Sequence, residues 1–203
     1  QLKKLVKYWK KKVQKEHEYF QLLELNKNWR TLVQVAECFI STASQSLSSI
    51  HLTQKTHNLV NQLVKKKKVT PSSKEKMYEW IIKICQNLSQ AMLNPDSECP
   101  ATQDTYVKYW QLSNPEIKYD YIMFDEAQDA NPVLLSVILK QKCQQIFVGD
   151  KYQSIYQFRG GVNAMDIIPY EAFPLSNSFR YGESIGQLAT KILQHSDPTV
   201  RVG

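Results

Sequence analysis

The amino-acid sequence predicts an α/β fold in which a parallel sheet follows a mostly helical segment. Two short, largely apolar runs carry the sheet prediction, Tyr121–Phe124 and residues 145–148. Such runs, bounded by turn-forming residues, are typical of buried strands, so we expect both strands to be buried. Asn131-Pro132 opens a predicted helix that continues through Leu139. A strand–helix–strand order favours parallel pairing of the two strands.

Helices are predicted wherever apolar residues recur every three or four positions. Besides the helix between the strands, they are expected over residues 1–24, 29–40, 74–93 and 182–194. The last of these carries Ile185, Leu188, Ile192 and Leu193 on one face. The serine-rich segment 41–49 and the lysine run 65–68 are expected to form loops. A division near residue 110 therefore separates a helical part from the part that contains the strands.

Positive charge is concentrated in the helical part. The 203-residue chain has 26 Lys and Arg against 19 Asp and Glu, a net charge of +7. Residues 1–110 hold 18 of the basic and 9 of the acidic side chains, a net of +9, whereas residues 111–203 hold 8 and 10, a net of −2. This balance favours an anionic partner such as nucleic acid, with binding that weakens as salt rises. A solvated lysine surface without a partner is the alternative interpretation.

The composition also argues against several classes of protein. No run approaches the roughly 18 consecutive apolar residues of a membrane span, so an integral membrane protein is not expected. The four cysteines lie far apart without a C-x-x-C pair, which favours reduced thiols over a zinc site or a disulfide framework. No secretory leader is recognisable, so an intracellular protein is expected, cytoplasmic in a prokaryote and nuclear in a eukaryote.

Acidic residues directly follow the first predicted strand, in the order Asp125-Glu126-Ala127-Gln128-Asp129. Ligands of parallel sheets sit at the carboxyl ends of the strands. A carboxylate at this place can hold Mg²⁺, and its neighbour can activate a nucleophilic water. Acids also occur at strand ends without any function, so this segment alone leaves both interpretations open.

Two further segments add to this cluster. Residues 149–161, Gly-Asp-Lys-Tyr-Gln-Ser-Ile-Tyr-Gln-Phe-Arg-Gly-Gly, follow the second strand and place a carboxylate and an amide near the first acids. Their aromatic–Arg–Gly end is suited to stacking a base and contacting a phosphate, with core packing of the aromatics as the alternative. Residues 175–182 place Arg180 just before a helix, where it can form an ion pair or contact a transferring phosphoryl group.

In this order and spacing, the three segments resemble motifs II, III and IV of the UvrD/Rep-type superfamily 1 DNA helicases, and most of all those of the F-box DNA helicase branch. Residues 106–115, Tyr-Val-Lys-Tyr-Trp-Gln-Leu-Ser-Asn-Pro, are similar to the lead-in of that branch, and residues 160–164 to its motif III exit. The resemblance covers about residues 100–194 and is faint over 30–60. It implies that residues 111–203 are part of a RecA-like, parallel-sheet P-loop NTPase domain, with residues 1–110 as a mostly helical, basic insert.

The resemblance also implies ATP and Mg²⁺ as cofactors and assigns a role to each matching residue. Asp125 would hold Mg²⁺, Glu126 would polarise the attacking water, and Gln153 would sense the γ-phosphate. Arg180 would contact that phosphate as the transition-state cation, and Phe179 would stack on the adenine. The expected contacts to single-stranded DNA are Tyr156, Phe158 and Arg159.

The sequence also departs from the family pattern. It contains no phosphate loop of the form G-x-x-x-x-G-K-[ST], and motifs V and VI are not found. We therefore expect the chain to be an internal piece of a helicase that by itself hydrolyses ATP poorly or not at all. Lys151-Tyr152 stands where Pro-His is common, and Gly161 stands where alanine is usual. Both are loop changes that we expect to leave the nucleotide contacts intact.

The function implied by the resemblance is ATP-driven, 3′-to-5′ translocation along single-stranded DNA by a monomeric motor that unwinds duplex in repair or recombination. A helicase remnant that binds single-stranded DNA or a protein partner without ATP turnover is the alternative. A metal nuclease built on Asp125, Glu126, Asp129 and Asp150 is less well supported, because such sites normally need a Lys or His in the same cluster.

Overall fold

The computed structural model describes residues 2–12, 25–66, 68–155, 163–175 and 177–203 of the chain. They fall into two compact units, of which the first ends at Ile167 and the second begins at Ile168. In chain order, the first unit contains α1 (Leu2–Lys12), α2 (Leu25–Ile40), α3 (Gln54–Lys65), α4 (Lys74–Leu93), α5 (Gln103–Leu112), β1 (Tyr121–Phe124), α6 (Pro132–Leu139), β2 (Gln144–Phe147) and α7 (Ala164–Ile167). The second unit contains α8 (Glu183–Leu193).

The 20-residue helix α4 shows how local sequence sets the bounds of a helix. A 3₁₀ turn, Pro71–Ser73, precedes it, and the Thr70 side chain accepts a hydrogen bond from the backbone N–H of Ser73 at 3.2 Å. Buried residues then recur every three or four positions along one side, among them Met77, Ile81, Ile84 and Leu88. The helix ends at Leu93, just before Asn94-Pro95. Its predicted bounds, residues 74–93, are confirmed.

The other predicted helices differ more from their expected bounds. α1 covers Leu2–Lys12 of the helix expected over residues 1–24, and residues 13–24 lie outside the described part of the chain. α2 begins at Leu25 rather than Trp29 and ends at Ile40 as predicted. The bounds of α6 and α8 agree with the prediction to within one residue at each end.

Helix α3 has no counterpart among the predicted elements. The Thr53 side chain caps it by accepting a hydrogen bond from the N–H of Thr56 at 3.3 Å. Thr56, Val60 and Leu63 are buried at helical spacing. A capping threonine three residues before a weak apolar stripe is therefore the signal that could have revealed this helix.

Helix α5 is also missing from the prediction, because it places polar residues inside and aromatic residues outside. Its buried side chains include Thr105, Lys108 and Gln111, whereas Tyr106, Tyr109 and Trp110 are exposed. Lys108 Nζ donates to the carbonyl oxygen of Thr42 at 2.9 Å and to that of Ser44, and it lies 4.3 Å from the centre of the Phe39 ring. Burial lowers the pKa of Lys108 to about 8. The buried amine thus holds the segment after α2 against α5.

The main hydrophobic core lies between α1, α2, α3 and α4. Leu5, Leu32, Val60, Ile81 and Leu88, which come from all four helices, are fully buried in it. Burying such a side chain contributes about 1.5–3 kcal/mol relative to leaving it in water, so these helices stabilise one another. All four cysteines are free.

β1 and β2 form a two-stranded parallel sheet within the described residues, and α6 connects them. The register runs from Tyr121 opposite Gln144 to Phe124 opposite Phe147. The Phe124 and Phe147 rings meet edge to face with their centres 5.9 Å apart. The predicted parallel pairing is confirmed.

Two details of the strand prediction are wrong. The second strand spans Gln144–Phe147 rather than residues 145–148, a shift of one residue. The strands are also not buried, since Tyr121 is 60% exposed and Met123 is 63% exposed. Side chains alternate between the two faces of a strand, and no element in the described ranges covers the face that carries these two residues.

In the second unit, α8 has an exposed apolar face that includes Ile185, Leu188 and Ile192. The Thr190 hydroxyl accepts a hydrogen bond from the N–H of Val202 at 2.9 Å, which holds the end of the chain against this helix.

The predicted division at residue 110 falls within α5, and the assignment of an insert and an ATPase part stays a prediction. None of the helices seen here combines the length and the apolar character needed to cross a membrane, as far as the described ranges extend.

Candidate functional site

The two acidic segments form neighbouring loops at one edge of the sheet. The first loop, residues 125–130, follows β1, and the second loop, residues 148–155, follows β2. The N–H of Val148 donates to the carbonyl oxygen of Phe124, and the N–H of Ala127 donates to that of Val148, both at 2.9 Å. The pairing of the strands therefore continues into the loops and brings both to the carboxyl edge, where ligands of such sheets bind.

Glu126 has an unusual backbone conformation in the first loop. Its φ and ψ are 53° and 39°, in the left-handed region that residues other than glycine seldom adopt. The 3₁₀ turn Ala127–Asp129 follows it, and Asp125 Oδ1 accepts a hydrogen bond from the N–H of Glu126 at 2.9 Å. Backbone strain of this kind costs about 1–3 kcal/mol and is concentrated at functional sites. The carboxylates of Asp125 and Glu126 are both exposed, as a ligand-binding role requires.

Gln128 belongs to the first loop, its side chain reaches the second loop, and it is only 2% exposed. Its Nε2 donates to Glu126 Oε2 at 2.6 Å, and its Oε1 accepts a hydrogen bond from the backbone N–H of Asp150 at 3.1 Å. No role was predicted for this glutamine, because a buried amide has no signature of its own in a single sequence. The structure shows that it contacts both acidic segments.

Asp150 organises the second loop. Its Oδ1 accepts a hydrogen bond from the N–H of Tyr152 at 2.9 Å, which caps the 3₁₀ turn Lys151–Gln153. Its Oδ2 accepts a hydrogen bond from Nε2 of Gln153 at 2.8 Å. Asp129 of the first loop in turn accepts a bond from the N–H of Ile155 at 3.0 Å. Asp125, Glu126 and Gln153, three residues singled out from the sequence, are thus carried by two loops that are hydrogen-bonded to each other.

Two other residues singled out from the sequence, Phe179 and Arg180, belong to the second unit. The Phe179 side chain is 99% exposed, and the N–H of Arg180 donates to the Ser178 hydroxyl at 3.2 Å. The N–H of Ser178 donates to the carbonyl oxygen of Gly203 at 2.6 Å, so the backbone before α8 is tied to the end of the chain. The roles of both side chains stay predictions.

Tyr156, Phe158 and Arg159, the expected contacts to single-stranded DNA, lie outside the described residues. The end of the second loop at Ile155 directly precedes them in sequence. Their roles also stay predictions.

The two loops are better suited to a hard divalent cation that the protein and a bound ligand coordinate together than to a cation enclosed by protein side chains alone. Within the described ranges, no three His, Cys, Asp or Glu side chains come together as a metal-binding group. Mg²⁺ is commonly held by one or two carboxylates, with water and phosphate oxygens completing its coordination, and the exposed Asp125 is suited to this. Asp125, Glu126, Asp129 and Asp150, on which the metal-nuclease alternative is built, therefore do not form such a group.

The chain that carries these loops belongs to the UvrD/REP helicase family. The family model of the UvrD/REP helicase N-terminal domain matches residues 2–165, which include both loops. The family inferred from the motifs is confirmed.

The chain is also similar to three named helicases. It is 34% identical over 169 residues to F-box DNA helicase 1 of Gallus gallus, which covers 81% of this chain and 16% of that protein. It is 35% identical over 144 residues to F-box DNA helicase protein 1 of Schizosaccharomyces pombe, a match that covers 66% of this chain and 16% of that protein. It is 30% identical over 89 residues to DNA helicase IV of Escherichia coli, a match that covers 38% of this chain and 13% of that protein. The chain therefore spans about a sixth of the length of these relatives or less. No solved structure gives a significant match.

Proposed function

We propose that this chain is part of an ATP-dependent DNA helicase that moves 3′-to-5′ along single-stranded DNA and unwinds duplex in repair or recombination. The observation that carries the proposal is the pair of hydrogen-bonded loops, which hold Asp125, Glu126 and Gln153 at the carboxyl edge of a parallel sheet. Family membership and the similarity to named DNA helicases support the same activity. In this proposal residues 111–203 belong to a RecA-like ATPase domain, and residues 1–110 are its helical insert.

The chemistry of the site is hydrolysis of ATP. Asp125 would hold Mg²⁺, which would supply charge neutralisation on the phosphates when bound. Glu126 orients the attacking water and accepts a hydrogen bond from it. Gln153 contacts the γ-phosphate, Arg180 stabilises charge in the transition state, and Phe179 stacks on the adenine. A complete site also needs a phosphate loop, so the activity is proposed for the complete protein.

Single-stranded DNA is the proposed partner. Tyr156, Phe158 and Arg159 follow the second loop, so a base-stacking platform is joined through a short segment to the residue that contacts the γ-phosphate. The helical part supplies a basic surface, since the described lysines of α1 and of the segment after α3, such as Lys3, Lys7 and Lys66, are exposed. This surface would contact the phosphate backbone and release it as salt rises.

The experiment is to measure ATP hydrolysis by the complete protein with and without single-stranded DNA. Replacing Glu126 by glutamine removes the carboxylate but keeps its size, so we expect DNA-stimulated turnover to fall by a factor of about 10²–10⁴. Glu116→Gln is the matched control, because Glu116 is exposed and lies outside both loops, and its turnover should equal that of the wild type. Unchanged turnover in Glu126→Gln would contradict the proposal. Binding of DNA by a wild-type protein that hydrolyses no ATP would favour the remnant instead.

A further inference from the structure

Gln128 is the buried link between two exposed acids. Glu126 and Asp150 are exposed on either side of it, whereas its own amide is almost fully buried. A carboxylate can only accept a hydrogen bond and a backbone N–H can only donate one. Only one orientation of the amide therefore satisfies both partners, with Nε2 towards Glu126 and Oε1 towards the N–H of Asp150.

Gly149 allows the second loop to approach this amide closely. A Cβ atom at position 149 would lie 2.5 Å from Gln128 Oε1 and 3.0 Å from the backbone nitrogen of Ala127. The first distance is too short for a methyl group, so the Gln128 amide would have to shift. The second distance is tight, and its partner is backbone that would have to give by a few tenths of an ångström. The absence of a side chain at Gly149 is thus a condition for the contact between Gln128 and the second loop.

The contacts of Gln128 complete a path across the site that consists of hydrogen bonds and the covalent frame of Asp150. It runs from the Glu126 carboxylate through the Gln128 amide to the backbone of Asp150. The Asp150 carboxylate then continues it to the Gln153 side chain. The path therefore joins the residue proposed to orient water to the residue proposed to contact the γ-phosphate.

We propose that Gln128 is a positioning residue that fixes the Glu126 carboxylate and ties its position to the second loop. The inference rests on the proposed function and goes beyond it by adding a residue that acts through Glu126. Gln128 is suited to this because an amide is a neutral donor, which can orient a carboxylate without neutralising it as a lysine or an arginine would. A movement of the second loop changes the position of Asp150 and, through Gln128, that of Glu126.

The test compares two variants of nearly equal volume in the complete protein. Gln128→Met removes both hydrogen bonds, whereas Gln128→Glu keeps an acceptor for the N–H of Asp150 and removes the donor to Glu126. For both variants we expect the kcat of DNA-stimulated ATP hydrolysis to fall by about tenfold to a hundredfold, because a misplaced catalytic group loses that much. The KM for ATP should stay within about threefold of the wild type, since Gln128 does not contact the nucleotide in this proposal.

Gln141→Ala is the control for a purely structural glutamine. The Gln141 amide, half-buried, accepts a hydrogen bond from the N–H of Ile117 and donates to the carbonyl oxygens of Pro115 and Val137, away from both loops. Its loss should lower the midpoint of thermal unfolding but leave kcat unchanged. If a Gln128 variant does not fold, Gly149→Ala tests the same contact from the second loop and should lower kcat in the same way.

The outcomes separate this inference from the proposed function. A loss of turnover in Glu126→Gln together with wild-type kcat in the folded Gln128 variants overturns the role of Gln128 and leaves the proposed function standing. Wild-type turnover in Glu126→Gln overturns both. A fall in kcat at constant KM in the Gln128 variants, without the same fall in Gln141→Ala, supports the positioning role.

Discussion

The helical part of the first unit, residues 25–112, and the strand pair with its loops, residues 121–155, bury their apolar side chains to different degrees. The helices share a core in which residues such as Leu32, Ile81 and Leu88 have no exposed surface. In the strands, by contrast, Tyr121 and Met123 are mostly exposed. Yet the strained Glu126 and the hydrogen-bonded loops belong to the strand pair. Helix α6 of the strand region also buries side chains such as Val133 and Val137. In the described residues, the shared helical core therefore lies in one region, and the candidate chemistry lies in the region whose strands are exposed.

This difference indicates what each region contributes to the stability and to the proposed activity of the protein. Two strands with one uncovered face cannot bury enough apolar surface to be stable alone, whereas helices around a shared core can. The helical part is accordingly expected to dominate the stability of the first unit. The geometry of the loops depends on hydrogen bonds and a left-handed residue, which we expect to affect activity more than stability.

The largest effect on the free energy of unfolding is expected from one member of a matched pair of truncations. Leu88→Ala removes a fully buried side chain from the helical core and should lower the free energy of unfolding by about 2–5 kcal/mol. Met123→Ala removes an exposed side chain from β1 and should change it by less than about 1 kcal/mol. Urea denaturation followed by circular dichroism measures both. Equal losses for the two variants would show that the strand pair contributes as much to stability as the helices.

A smaller effect, which depends on pH, is expected at Lys108. Burial lowers the pKa of this lysine from 10.5 to about 8. Below about pH 8 both the folded and the unfolded chain hold the proton, and between there and pH 10.5 only the unfolded chain does. The contribution of Lys108 to the free energy of unfolding therefore rises with pH across this window.

Lys108→Met isolates that contribution. The variant leaves the carbonyl oxygens of Thr42 and Ser44 without this donor, which costs about 1–3 kcal/mol, although it also removes the burden of a buried charge. Burial and the Lys108 charge keep the pKa of His51 below 6.5, so His51 titrates below this window. Between pH 7.5 and pH 10, which bracket the Lys108 pKa of about 8, the wild type should therefore gain stability relative to Lys108→Met. Urea denaturation at the two pH values checks this. A difference that stays constant or reverses would mean that Lys108 keeps its proton when buried.

The smallest expected effect is at the cap of α6, in the strand region. The Asn131 side chain accepts a hydrogen bond from the N–H of Val133 at 2.8 Å. Asn131→Ala should therefore lower the free energy of unfolding by about 1 kcal/mol, the usual value of an N-cap. Asn131→Asp keeps the acceptor and should restore most of the loss in the same denaturation experiment. A loss much larger than that of Leu88→Ala would contradict the division between the two regions.

The sequence predicted those elements whose local signals agree with their packing. A 3₁₀ turn with a capping threonine and a proline precedes helix α4, the helix has an apolar side, and its bounds were predicted to the residue. Helix α5 was not predicted, because Lys108 and Gln111 face inwards and their hydrogen-bond partners lie more than sixty residues earlier in the sequence. No periodicity can reveal a polar contact over that distance.

The same distinction holds for the candidate site. Asp125, Glu126 and Gln153 were singled out because they follow strands and match family motifs, and the structure places them on adjoining loops. The part of Gln128 in joining those loops was not predicted, since it depends on the approach of Gly149 and Asp150 in space. The exposure of the strands was missed because a short, largely apolar run looks the same in a covered and in an uncovered sheet.

The central claim is that the two loops are the catalytic piece of a DNA motor, and strand displacement by the complete protein tests it most directly. Duplexes with a 3′ tail, a 5′ tail or blunt ends are incubated with ATP and Mg²⁺, and release of the labelled strand is followed. The proposal predicts release from the 3′-tailed duplex, little from the others, and none in the Glu126→Gln variant. Tight binding to the 3′-tailed duplex without any strand release by the wild type would contradict it.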